Sequence, residues 1–153
     1  MIAVIRIRGI VKVNPRIART MELLRLNQVN HCVLVKNEKQ VVKMVKKAES
    51  FITWGEIKEN VLEKLLKKRG RISAKKRLTV DWLKEKNFKD FNEMAKSLME
   101  EKSSLKELEV KPVFRLSPPS KGFERKGIKK PFKLGGVLGD RKEKINDLLL
   151  KMI

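Results

Sequence analysis

The side chains best equipped for acid, base or metal chemistry are scarce in this chain. His31 and Cys32 are its only histidine and its only cysteine, and they are adjacent. Neighbours on a strand point to opposite faces, so this pair cannot close around one metal ion. The carboxylates are scattered along helical stretches and offer neither an activated nucleophile nor a paired acid and base. Gly135, Gly136 and Gly139 before a helix start resemble a phosphate cradle, because free backbone N–H groups there attract anions. No Gly-Lys-Ser/Thr follows, and Asp140 would put a carboxylate where the phosphate should sit, so the stretch reads as a turn. The chemistry that remains is electrostatic. From Phe114 to Lys133 the chain reads FRLSPPSKGFERKGIKKPFK, with six Lys or Arg after Ser117 against the single acid Glu124. A flexible, proline-punctuated cationic segment with too few apolar residues to fold alone suits a polyanionic partner.

The whole composition points the same way. The 153 residues hold 38 Lys and Arg against 18 Asp and Glu, a formal charge of +20 that repels itself until a polyanion neutralises it. The charge is uneven: residues 1–54 carry +8, 55–80 carry +6, 81–109 carry −2 and 110–153 carry +8. The third block is expected to face solvent or a protein while its neighbours face the polyanion. No apolar run approaches the roughly 20 residues of a membrane span, and the apolar start runs directly into Arg6 and Arg8. A membrane partner is therefore not expected. A single cysteine within the apolar run Cys32 to Val35 excludes an internal disulfide and fits a reducing compartment, with Cys32 as a small core residue. No enzyme, cofactor, metal or small-molecule substrate is expected.

Elements of a small α+β domain must position these charges. Ala3 to Ile7 reads as a strand ended by Gly9, and Asn14-Pro15 supplies a cap and the residue favoured at the first helical position. The helix is predicted to run to about Leu26, with Ile17, Met21 and Leu24 on one face. His31 to Lys36 is a second strand. Asn37 is placed to cap a second helix with Val41, Val45 and Ala48 buried, and Phe51 to Trp54 is a third strand. This order predicts a ferredoxin-like split β-α-β core over residues 1–55, a small antiparallel sheet with helices on one face. Residues 56–109 read as helical. Ile57, Val61 and Leu65 share a face, Lys67-Lys68-Arg69-Gly70 makes a cationic helix end, Thr79 begins a further helix, and Phe91, Met94, Ala95 and Leu98 stripe another. Residues 110–153 read as a basic extended segment, with Val113 to Leu116 as an added edge strand. A final helix, opened by Asp140 and Glu143 at capping-box spacing, packs back on the core.

The split β-α-β order invites comparison with the RNA-recognition motif, which stacks bases on sheet aromatics. Ser50 to Gly55 lacks its alternating aromatics, the first strand has none, and aromatics are 5% of the chain with no tyrosine. Phe51 and Trp54 therefore read as core, and recognition as resting on phosphates and shape.

Several motifs in order carry a more specific resemblance. Ile5-Arg6-Ile7-Arg8-Gly9-Ile10, Asn14-Pro15-Arg16 leading into Leu23-Leu24-Arg25-Leu26, Ile52-Thr53-Trp54-Gly55 and Lys68-Arg69-Gly70 resemble the L-thirty family of large-subunit ribosomal proteins. Pro131 to Leu134, Gly135-Gly136 and Gly139-Asp140-Arg141 through Ile145-Asn146 are similar to the C-terminal part of its long archaeal form and of the eukaryotic relative called L-seven. Bacterial members are similar only to roughly the first third, so the resemblance suggests an archaeal source. It implies a structural protein of the cytoplasmic ribosome, bound to large-subunit ribosomal RNA and neighbouring ribosomal proteins. The small ribosomal RNA of the central protuberance is a candidate second contact.

Three contact surfaces are predicted. The first is Arg6, Arg8, Lys12, Asn14, Arg16 and Arg19, where the backbone at the helix start adds N–H donors. The second is Lys67, Lys68, Arg69, Arg71, Lys75, Lys76 and Arg77, and the third Lys121, Arg125, Lys126, Lys129, Lys130 and Lys133. The alternatives are a free RNA- or DNA-binding protein of chaperone or nucleoid type, and a pure interaction module that docks through residues 81–109.

Overall fold

The computed structural model describes residues 1–73 and 75–153. Its first elements are β1 (Ile2–Arg6), α1 (Pro15–Leu23), β2 (His31–Val35), α2 (Lys39–Lys47) and β3 (Ile52–Glu56). Then follow α3 (Glu59–Arg69), α4 (Val80–Glu85), α5 (Phe91–Met99), β4 (Val113–Arg115), β5 (Gly139–Asp140) and α6 (Ile145–Met152). The fold is α+β, a ferredoxin-like core with a helical extension. One five-stranded sheet runs β4-β2-β1-β3-β5, antiparallel except for the parallel β3–β5 pair.

Central β1 is buried along its whole length, which explains why its sequence alternates only partly. Ile2 and Val4 point with Val33 and Ile52 to the face covered by Met21, Leu24, Val45 and Ala48 of the α1 and α2 regions. Ala3, Ile5 and Cys32 point to the other face, under Leu62, Leu65 and Leu66 of α3, Met94 and Leu98 of α5, and Ile145 and Leu149 of α6. The two helices of the first 55 residues thus share one face, and the rest of the chain covers the second. Residues from 1–55, 56–109 and 110–153 meet in that second core.

Three local features differ from the sequence reading. α1 stops at Leu23: Arg25 turns into the left-handed region at φ 59°, and Leu26 N–H bonds Met21 C=O at 2.8 Å, folding the fully buried Leu26 back into the core. Glu38, and not Asn37, precedes the first turn of α2, without a side-chain cap. The Asp140–Glu143 capping box does not form, because Asp140 is held extended in β5 beside Trp54. Its Oδ1 accepts from Lys142 N–H at 2.8 Å, and α6 begins only at Ile145. Gly70 ends α3 as the sequence indicates, and at φ −62° its contribution is space: a Cβ there would stand 2.2 Å from Leu78 Cδ1. Elsewhere local signals are realised, with Asn14 capping α1, Thr79 capping α4, the four-residue stripe of α5 buried and β4 added at the sheet edge. Among the described residues no helix is long and apolar enough to cross a membrane.

Candidate nucleic-acid interface

The strand registers bring the charged segments to one end of the sheet. β1 and β4 finish at this end, while β2, β3 and β5 begin there. Arg8 leaves β1 at this end, with its Nη1 donating to Ser50 C=O at 3.1 Å and its guanidinium 4.8 Å over the Phe51 ring. The segment between β4 and β5, which carries Lys121 to Lys133, departs from and returns to the same end, joining the two outer strands. Lys12, Asn14 and Arg16 are exposed around the start of α1. Asn14 Oδ1 accepts from Arg16 N–H at 2.9 Å, so one of the donors expected for a phosphate is already occupied. Arg19 is exposed and pairs with Glu22 at 2.7 Å, an exchangeable surface contact.

Arg6 does not share this exposure and has to be reassigned. It is 2% exposed; Nη1 donates to Leu26 C=O at 2.6 Å and Asn27 C=O at 3.1 Å, and Nε to Arg8 C=O at 2.9 Å. Its charge is spent closing the turn after α1, and burial pulls its pKa below the ordinary arginine range. Next to it in the sheet, His31 pairs with Arg115. Burial first, then Arg115 and Arg6, lowers the His31 pKa and keeps the ring neutral. Exposed Arg115 was missed from the sequence; the strand reading of Val113 to Leu116 was the signal that could have placed it at this end. Cys32 is fully buried, and burial pushes its thiol up to about 12, which suits a core residue. Phe51 is core; Trp54 is half-buried.

The second cluster is built on the end of α3 and a tight hairpin. Lys67, Lys68, Lys75, Lys76 and Arg77 are exposed, and Arg71 is half-buried. Arg71 bridges Arg77 across the hairpin, Ile72 N–H bonds Lys76 C=O at 3.1 Å, and Lys111 N–H bonds Arg71 C=O at 2.8 Å. Arg69 turns inward and donates from Nη2 to Ser117 Oγ at 2.6 Å and to Ile153 C=O at 3.0 Å. It acts as a clamp that ties the second cluster to the beginning of the third.

The third segment, expected to be flexible, is irregular but tied down. Ser117 N–H bonds Met152 C=O at 3.0 Å, and Ser120 N–H bonds Lys151 C=O at 2.9 Å. Farther along, Val137 N–H and Phe132 N–H bond Lys130 C=O and Leu138 C=O at 2.9 and 2.7 Å. Its single acid is the main anchor. Glu124 accepts a two-pronged pair of bonds from Arg141, one of them Nη2 to Oε2 at 2.8 Å. Arg141 is 3% exposed; its Nε donates to Thr53 Oγ1 at 3.0 Å, its Nη2 to Val137 C=O at 3.2 Å, and its guanidinium lies 4.5 Å over Phe132. No local pattern in the sequence marks Glu124 and Arg141 as an anchor, because they are 17 positions apart. With the acid turned inward, Lys121, Arg125, Lys126, Lys129, Lys130 and Lys133 all remain exposed. The glycines that close the segment are turn residues: Gly135 adopts φ +83°, and Gly136 lies where a Cβ would stand 2.1 Å from Lys130 C=O.

Burial raises the Glu124 pKa, and the Arg141 hydrogen bonds outweigh it, leaving the carboxyl below its ordinary value. A depressed carboxylate stabilises the fold above its unfolded pKa of about 4.3, and that contribution disappears as pH falls through the folded value. Urea midpoints measured from pH 6 to pH 3 should therefore fall more steeply for the parent than for Glu124→Gln. Parallel curves would show that the ion pair contributes nothing to stability.

What remains is a set of exposed cations on a rigid frame, with no group of three His, Cys, Asp or Glu side chains able to hold a metal ion among the described residues. Residues 2–52 match the family model described as Ribosomal protein L30p/L7e. The large ribosomal subunit protein uL30 of Nanoarchaeum equitans is 52% identical over 151 residues, covering 99% of this chain and 97% of that protein. The uL30 proteins of Methanococcus maripaludis and Thermofilum pendens are each 46% identical, over 99% and 98% of this chain and 98% and 97% of their own lengths. The chain belongs to the L30p/L7e ribosomal protein family. The family model covers β1 through α2 and ends at the first residue of β3, while the archaeal L30p/L7e relatives match the helical extension and the anchored cationic segment as well.

Proposed function

We propose that this chain, as a structural constituent of the large ribosomal subunit, holds large-subunit ribosomal RNA through three cationic surfaces presented on a preformed frame. These are Arg8, Lys12 and Arg16 with Arg19 beside them, the α3 end and hairpin from Lys67 to Arg77, and the segment from Lys121 to Lys133. Arg6 and Arg69 serve these surfaces as internal ties. The observation that supports this most is the inward turn of Glu124 onto Arg141, which leaves the cations of the third surface with no acid among them. Phosphate contacts fix register and orientation, and the rigid frame supplies shape selection. The small ribosomal RNA of the central protuberance is a second proposed contact, resting on the family resemblance. Near full-length similarity to uL30 proteins disfavours a free nucleic-acid binder.

Neutralising about 10 phosphates predicts a log–log salt slope of roughly −7 to −9 for binding to deproteinised large-subunit ribosomal RNA, at about −0.7 to −0.9 per phosphate. Filter binding or fluorescence titration across a series of salt concentrations measures it directly. A slope near about −2 would correspond to only two or three phosphates and overturn the three-surface reading.

A further inference from the structure

The first cationic surface carries an apolar tip that phosphate binding does not use. Ile10 is 68% exposed and Val11 81%, in a turn closed by Val13 N–H to Ile10 C=O at 3.3 Å with Lys12 in the left-handed region at φ 56°. Such exposure withholds two β-branched side chains from a core that buries every aliphatic of β1. Charge settles what the tip faces. Arg8 precedes it, Lys12 and Arg16 follow it, and no acid occurs in the chain before Glu22. Among the described residues no aromatic side chain is as exposed as this tip, since Trp54, Phe88, Phe123 and Phe132 are half-buried and the others buried, which leaves these aliphatic groups as the most accessible apolar surface beside the cations.

We propose that Ile10 and Val11 form an apolar contact with the RNA itself, packing on base edges and riboses while Arg8, Lys12 and Arg16 hold the flanking phosphates. An RNA helix offers such surfaces in its wide, shallow minor groove and at unstacked loop bases. The inference rests on the RNA-binding reading above and adds to it a part that does not depend on salt.

The test is the full-length I10S/V11S variant against deproteinised large-subunit ribosomal RNA, with Lys12→Gln beside it. Burying two aliphatic side chains is worth enough to weaken the double variant about 10- to 100-fold. Its salt slope stays at the parental value, because no cation is removed. Lys12→Gln gives the opposite signature, a slope shallower by about 0.7 to 0.9 with a smaller loss at high salt. Parental affinity in I10S/V11S overturns the contact, and so does parental RNA affinity combined with poor incorporation into subunits, which would assign the tip to a protein neighbour. A loss of affinity with a shallower slope also overturns it, since the cations would then have moved. Weak binding with a shallow slope by the unaltered chain overturns the RNA reading and this contact together, whereas steep parental binding with an unaffected variant removes only the contact.

Discussion

Arg141→Ala should lower stability by roughly 3 kcal/mol, the lower part of the range for breaking a buried ion pair, because Glu124 keeps partial access to water. At roughly 2–4 °C per kcal/mol for a chain of this size, Tm should fall by about 6–12 °C. The guanidinium binds Glu124, Thr53 and Val137 at once and stacks on Phe132, so its loss disconnects the cationic segment from β3 and β5 together. Limited proteolysis provides a second readout. Trypsin should cut the variant between Lys121 and Lys133 well before it cuts the parent at those sites. Affinity for RNA should fall although every surface cation is retained, since a loosened segment must be ordered on binding, at a cost the anchored one has already met during folding. Parental stability together with parental cleavage rates would show that the segment is held without Arg141.

Gly55→Ala should cost about 3 kcal/mol, the upper end of the overpacking range. Gly55 lies in β3, paired with Ala3 of the central strand, and a Cβ would stand 2.1 Å from Lys142 C=O and 3.0 Å from Ile145 Cβ. The obstacle is the main chain of Lys142 in the turn just before α6, so relief requires that turn and the C-terminal helix behind it to retreat from the sheet. The relevant property of glycine here is the missing side chain, since φ is not in the left-handed region. Gly9→Ala is the matched control. Nothing lies within 4 Å of a Cβ at Gly9, so that variant should stay within about 0.5 kcal/mol of the parent, as surface changes usually do. Urea denaturation of both variants separates the outcomes. A Gly55→Ala midpoint equal to that of Gly9→Ala would mean that α6 is not seated against β3.

The local elements and the chemistry of the surface are legible in the linear order of residues. Asn14-Pro15 started α1, the spacing of Phe91, Met94, Ala95 and Leu98 gave α5 its buried face, and the scarcity of acids among the cations pointed to a polyanion. Each of these is a signal within a few residues, where capping, helical period and charge density operate. Which cations reach solvent depends on the folded arrangement. Arg6 and Arg8 are two residues apart and chemically identical in sequence, yet Arg6 is buried because the carbonyls of Leu26 and Asn27 converge on it from across the α1 turn. The final helix likewise starts at Ile145 and not beside Asp140, because β5 pairing and the Arg141 anchor hold the preceding chain extended. The cationic segment read as flexible for the same reason: too few apolar residues to fold alone was a correct local inference, but Glu124 meets an arginine 17 positions later, and a buried ion pair supplies the order that apolar burial could not. Hydrogen bonds and ion pairs of this kind depend on groups brought together by the fold, and a linear pattern carries no record of them.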